Sequence, residues 1–202
     1  MTKNTPLGKS RTPIATKGST LYHAIRRAIL LREFQPSESL TEQQLGAEFN
    51  CSQGTVREAL MRLQEEGLVQ RRGYHGTTVS KSSVAEVAQM AEIRIKLEVE
   101  GIYQSAESFT DKDIIEIEGY LAQMEEAVKN DEPYALSELD RKLHLAIFRH
   151  SGLVALESIL TRCMLHMHLH TFGNPDPHDR AVSPTLAHNP ILVAPRAGNQ
   201  DR

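Results

Sequence analysis

At 202 residues, 40% hydrophobic and 24% charged, the chain has the composition of an ordinary globular protein, enough for one large domain or two small ones. No apolar run approaches the roughly 18 residues a membrane span needs, and the polar first twenty residues lack the apolar stretch of a secretory leader. With only Cys51 and Cys163, far apart and each within a helical pattern, buried reduced thiols are expected in preference to a disulfide, and the expected compartment is the cytoplasm. The net charge of −3 conceals a split: residues 1–82 carry +5 and residues 83–202 carry −8. Two modules with different partners are expected, the basic one suited to a polyanion.

Residues 1–18 read as a flexible basic tail. Ser19 or Thr20 can cap a helix through LYHAIRRAILLREF, with Leu21, Ile25, Ile29 and Leu30 on one side and Pro36 beyond its end. Leu40-Thr41 opens a short helix to Phe49 with Thr41 as N-cap. Asn50, which tolerates a left-handed backbone, marks a sharp turn. Ser52 caps the next helix, whose apolar stripe is Val56, Leu60 and Leu63 and which stops at Gly67. The period then drops to two: LVQRR and TTVS flank GYHG, a β-hairpin tipped by Gly73 and Gly76. Three helices followed by a small hairpin predict a winged helix-turn-helix over residues 19–80, with the helix-turn-helix in 41–66.

If residues 53–66 enter a DNA major groove, Gln53, Thr55, Arg57 and Arg62 lie off the apolar stripe or at its edge. Arg57 can fork onto guanine or phosphate, Gln53 can pair with adenine, and Thr55 can touch phosphate or a thymine methyl. The hairpin extends Arg71, Arg72, Tyr74 and His75 to one side, and Gly76 leaves room for a sugar–phosphate edge. The plainer alternative pairs Arg57 and Arg62 with Glu58, Glu65 and Glu66 on a solvated face. The succession of capped turn, helix and basic hairpin favours DNA.

From Ser83 the chain reads as acidic and all-helical, an α-bundle over residues 83–172. One long helix runs to about residue 108, Thr110 caps a second to about Asn130, and Pro133 starts a third to about His150. Gly152 breaks it, and a fourth runs through VALESILTRCMLHMHLHTF. Five of the nine prolines fall in residues 174–202, so residues 173–202 form a Pro-rich tail that cannot be one continuous helix. Asp140 and His144, four apart, share a helix face. Such a pair can converge on a metal ion or form a hydrogen-bonded pair at the edge of the core. His166 and His170 also share a face and could complete a site or line a ligand pocket, with His168 pointing elsewhere.

The stretch LYHAIRRAILLREFQPSESLTEQQLGAEFNCSQGTVREALMRLQEEGLVQRRGYHGTTVS resembles the DNA-binding domain of the GntR family of bacterial transcription regulators, with VREAL…L…EGLV…G its specific part. EIRIKLEVEGIYQSA and SELDRKLHLAIFRHSG resemble the all-helical effector (FCD) domain of the FadR-like branch. The resemblance implies a homodimeric, non-enzymatic regulator that binds an inverted-repeat, double-stranded operator. Repression is the commoner sign, and the implied effector is a small carboxylic acid with a divalent metal (Zn, Ni or Mn). It implies that Arg57 contacts DNA and that His75-Gly76 form the wing tip. Gln43 and Gln53 stand where the family often has Arg. It makes Asp140 and His144 the first two metal ligands, His188 in LAHNPILVAPRAGNQDR the third, and Arg94 the holder of the effector carboxylate. The residues alone equally allow Arg94 to pair with Glu98 or Glu92.

Several positions depart from the family. Ser37 and Asn50 stand where Gly is usual, and Gly46 where Ala is. Pro190 and Pro195 interrupt the segment of the third ligand, and no helix for a fourth histidine is found before Arg202. An alternative reading is therefore a DNA-binding dimer with a non-sensing effector domain. A metal-dependent enzyme on Asp140, His144 and His188 is a third class, for which no HExxH or nucleophile-elbow motif appears.

Overall fold

The computed structural model describes residues 17–71, 76–105 and 108–173. The basic tail, the wing tip with Arg72 and His75, and the Pro-rich segment with His188 lie outside the described residues.

The amino-terminal half, read from the sequence as the DNA-binding half, comprises α1 (Lys17–Leu30), β1 (Ser39–Leu40), α2 (Glu42–Glu48), α3 (Gln53–Glu65), β2 (Val69–Arg71) and β3 (Thr77–Val79). Local chemistry fixes the helix-turn-helix. Thr41 Oγ1 accepts from the Gln44 amide and Ser52 Oγ from the Thr55 amide, each at 3.2 Å, which satisfies a free donor at each helix start. Between them Asn50 sits at φ 50°, the left-handed turn its short polar side chain tolerates. Leu21, Ile25 and Ile29 of α1 then close on Val56, Leu60 and Leu63 of α3, with Leu45, Val69 and Val79 completing the core.

The three strands order as β1-β3-β2, both pairings antiparallel, with Leu40 opposite Thr77 and Val69 opposite Val79. The strand β1 corrects the sequence reading, which opened a helix at Leu40. Two residues are too few for period-two alternation to show. The start of α1 is also corrected: Ser19 and Thr20 lie inside a helix that already runs from Lys17, within the segment read as tail.

The rear half is a bundle of α4 (Val84–Ser105), α5 (Asp111–Lys129), α6 (Pro133–Arg149) and α7 (Glu157–Gly173). The residues Val154–Leu156, expected to open the last helix, form a separate 3-10 turn. Thr110 and Asp113 exchange backbone and side-chain hydrogen bonds in a capping box at the start of α5. Ile117, Leu121 and Met124 of α5 pack on Leu139, Leu143 and Ile147 of α6. On the other side of α6, Leu145 and Phe148 meet Leu160 and Met164 of α7, with Leu97 of α4 against them. Gly101 lets α4 approach: a Cβ there would lie 2.6 Å from Phe148 Cδ2.

The two halves dock through α6 and α7. Leu165 and Leu169 of α7 join the core of the DNA-binding half, each burial worth roughly 1.5–3 kcal/mol. Beside them Arg26, 1% exposed, donates from Nη1 to Glu138 Oε2 at 2.9 Å. Its Nη2 lies 2.8 Å from Glu138 Oε1, and its Nε 3.4 Å from Glu66 Oε2. Arg141 adds a hydrogen bond to Glu138 at 2.9 Å. Burial alone would raise the Glu138 carboxyl, but the charges of Arg26 and Arg141 outweigh it and hold the group below its ordinary value. Gly67, at φ 80°, closes the contact, because a Cβ there would fall inside the Arg162 guanidinium of α7.

Candidate functional site

The exposed face of α3 begins with Gln53 and, one turn on, Arg57. Thr55 between them is half-buried, its Oγ1 2.8 Å from Ser52 Oγ, and Gln43 is exposed on α2. Arg57 turns back to α2, where Nε donates to Glu42 Oε1 at 2.9 Å and Nη2 to Oε2 at 2.7 Å. Arg71 of β2 reaches the same carboxylate at 3.7 Å. The Arg57 hydrogen bond and the Arg57 and Arg71 charges outweigh desolvation and hold the Glu42 carboxyl below its usual range. Arg57 is 56% exposed, so this is a screened surface pair that contributes little to stability. Its planar fork matches a phosphate or a guanine edge equally well. The carboxylate that pairs with Arg57 is Glu42, not one of the α3 glutamates considered from the sequence. Gly76, where the wing re-enters, sits at φ 77° with open space at its Cβ position.

Five residues after Arg57, Arg62 lies about 140° around the helix, and its guanidinium carbon stands 3.9 Å from the Tyr22 ring centroid. Tyr22 in turn donates its hydroxyl to Glu66. Arg62 thus borders the contact between α1 and α3, about a third of a turn or more from the direction of Arg57.

In the rear half, α4, α6 and α7 bring five titratable side chains together. Arg94 Nε donates to Glu98 Oε1 at 2.8 Å, and its Nη2 lies 3.8 Å from Asp140 Oδ2. His144, 7% exposed, places Nδ1 2.9 Å from Glu98 Oε1 and Nε2 3.5 Å from Asp140 Oδ1. His168 Nε2 is 3.3 Å from Asp140 Oδ2. Burial lowers the His144 imidazole, but Asp140 and Glu98 outweigh that and raise it above its ordinary value. Burial raises Glu98, yet the His144 hydrogen bond and the His144 and Arg94 charges hold it low. The Arg94–Glu98 pair weighed from the sequence is present, though inside the bundle instead of on its surface. Among the described residues, no group of three or more His, Cys, Asp and Glu could hold a metal ion.

His166 and His170 share one side of α7 and His168 points elsewhere, as their spacing implies. His168 faces Asp140, while His166 turns to the DNA-binding half, its Nδ1 2.6 Å from Ser82 Oγ and its ring bonded to the Gly67 backbone. Burial and the Arg162 charge lower the His166 imidazole against that last bond. His166 and His170 line a cleft between the halves with Arg32, Lys81 and Ser80. The sequence could not orient this helix because both its sides are covered, one by the DNA-binding core and one by α6, so its apolar residues form no single stripe. Glu42 went unremarked as a partner, and Glu98 was considered for Arg94 but not for His144. The i,i+4 spacing of Arg94 and Glu98 was the one local signal.

Comparison with known proteins matches this arrangement. Residues 17–79 match the family model "Bacterial regulatory proteins, gntR family", and residues 89–202 match the FCD domain. The HTH-type transcriptional repressor RspR of Escherichia coli K12 is 31% identical over 132 residues, 65% of this chain and 58% of RspR. The chain thus spans less than two thirds of that relative's length. The Bacillus subtilis regulator YdhC is 26% identical over 133 residues, 64% of this chain and 59% of its own. In fold, the chain resembles E. coli McbR/YncC, with a TM-score of 0.72 and 18% identity over 93% of this chain and 90% of that one. A putative GntR regulator from Rhodococcus sp. RHA1 gives 0.68 and 19%, over 91% and 90%. The winged helix-turn-helix, the helical bundle behind it and these matches together show that the chain belongs to the GntR family of bacterial regulatory proteins and carries an FCD domain.

Proposed function

We propose that the protein is a cytoplasmic homodimeric repressor whose hold on an inverted-repeat operator is modulated by a small carboxylic acid. The observation that carries this reading is the Ser52-capped α3 presenting Gln53 and Arg57 beside Arg71 of the wing. DNA phosphate exchanges with Glu42 as the partner of Arg57, while Gln53 and Thr55 meet base edges or the backbone. Arg72 and His75 extend the contact from the wing, with Gly76 giving the backbone close access. The repressor sign is that of RspR by its name. The dimer is supported by α4, which exposes Ile95, Val99 and Tyr103 at successive four-residue steps. No described helix is long and apolar enough to cross a membrane.

The effector is received at Arg94, whose guanidinium exchanges Glu98 and Asp140 for the ligand's carboxylate. Asp140 and His144 are the two described residues suited to a divalent ion. Glu98 on Nδ1 would leave Nε2 as the ligating nitrogen, and His188 is the expected third ligand. The donor types fit Zn, Ni or Mn, and bound metal would supply a positive charge for the acid. One observation favours the non-sensing alternative: these side chains already partner one another inside the bundle.

The experiment is thermal unfolding after chelation, then with Zn²⁺, Ni²⁺ or Mn²⁺ and a panel of small carboxylic acids, for wild type, Asp140→Ala and His144→Ala. Stabilisation of wild type that both variants lose, with altered operator binding at the same ligand concentration, supports the sensor. No shift with any member of the panel supports the non-sensing reading.

A further inference from the structure

Where the DNA-binding half, the linker and α7 meet, a cleft of about 190 Å³ is lined by Arg32, Pro36, Ser80, Lys81, Ser82, His166, Leu169 and His170. Among the described residues its charged lining is basic and holds no carboxylate. Three chain segments converge there: the turn after α1, the 80–82 linker from β3 to α4, and one face of α7.

Three features mark the cleft as a built site. The first is Arg32, which occupies the left-handed position after α1 at φ 62°, where a glycine is usual. The amides of Arg32 and Glu33 bond back to the Ile29 and Ala28 carbonyls, so the helix end itself is regular. A bulky side chain in that conformation is a strain that recurs at functional positions. The second feature is what the strained side chain does. Its Nη2 donates to the Leu169 carbonyl at 2.7 Å, which anchors the guanidinium across the domain junction. Its Nε is buried with no hydrogen-bond partner among the described residues. The third is Ser80, 2% exposed, whose Oγ is likewise buried and unpartnered among the described residues. Arg32 and Ser80, each with a desolvated donor just behind the wall, and the Lys81 side chain thus line a cleft that no carboxylate enters among the described residues, and such donors are costly to leave unpaired. His166 is engaged with Ser82 and Gly67 and forms the fixed wall.

We propose that this cleft binds a small oxyanion, a carboxylate or phosphate, at a site separate from the Arg94–Asp140–His144 cluster. The anion accepts from Arg32 Nε, Ser80 Oγ and Lys81, with His170 at its edge. Because the ligands come from both domains and the linker between them, occupancy ties the DNA-binding half to α7.

The test is isothermal titration of the full chain with inorganic phosphate and, separately, with succinate, at constant ionic strength set by chloride. The variants are Arg32→Gly, which relieves the positive φ while removing the guanidinium, and Lys81→Gln, an exposed change that leaves the fold intact. Asp140→Asn marks the other cluster, and Lys96→Gln is an exposed control on α4. Saturable binding of either probe that falls at least tenfold in Arg32→Gly and Lys81→Gln, and is retained in Asp140→Asn and Lys96→Gln, is the expected result. The probe that binds tells phosphate from carboxylate. Absence of saturable heat with both probes overturns the proposal, as does binding that survives Arg32→Gly and Lys81→Gln or is lost only in Asp140→Asn.

Discussion

The arginines of this chain fall into two environments. Arg57 and Arg71 converge on Glu42 at the surface, held by a carboxylate that solvent screens. Arg26 makes comparable contacts with Glu138, but at 1% exposure and across the junction of the two halves. The same pair of residue types is thus a replaceable contact in one place and a structural joint in the other. Burial decides which, because a desolvated charge cannot fall back on water when its partner is removed. The chain therefore joins its halves with charges it cannot exchange and carries exchangeable ones on the exposed face of α3.

The largest break in that comparison is Glu138→Ala. Leaving Arg26 buried without its main partner is expected to cost about 3–5 kcal/mol, read by urea unfolding, and to separate the unfolding of the two halves. Next is Gly67→Ala, which combines a Cβ at φ 80° with a clash against Arg162. A loss of about 1–3 kcal/mol is expected, and less in an Arg162→Ala background, where the clash is gone. A double-mutant cycle checks this.

Proton linkage sharpens the contrast within the buried set. The His144 imidazole is raised above 6.5 in the fold. Its contribution is therefore full below that pH and is lost as pH rises through the raised folded-state value. His166 is lowered from 6.5, so its unfolded form protonates first and stability is lost as pH falls below 6.5. Unfolding free energies of wild type against His144→Gln and His166→Gln, measured across pH 5.5–8, should diverge in opposite directions. The smallest effect is expected from Glu42→Gln. Melting is unchanged and DNA affinity rises about two- to fivefold, since a competing carboxylate has been removed; fluorescence anisotropy reads it.

What the sequence made legible follows the same division. The Thr41, Ser52 and Thr110 caps, the Asn50 turn and the start of α6 at Pro133 are local, and each is visible in a few consecutive residues. The apolar stripe of α3 and the helical nature of the rear half are likewise periodic signals. The partners of the charges are not local: Glu42 lies 15 residues from Arg57, and Glu138 lies 112 from Arg26. The Tyr22 ring beside Arg62 is equally non-local, 40 residues away in sequence with no pattern to mark the contact. The orientation of α7 was hidden for a different reason. A helix covered on both sides offers no polar face, so His166 and His168 could be assigned only once their neighbours were known.

The central claim is that α3 meets DNA through Arg57, and its most direct test is the affinity of Arg57→Ala for a duplex selected by the wild-type protein from genomic fragments. The account predicts a loss of about ten- to a hundredfold, with a shallower salt dependence and an unchanged melting temperature. Unaltered affinity and salt slope in a folded Arg57→Ala protein would contradict it and move the DNA-binding surface away from α3.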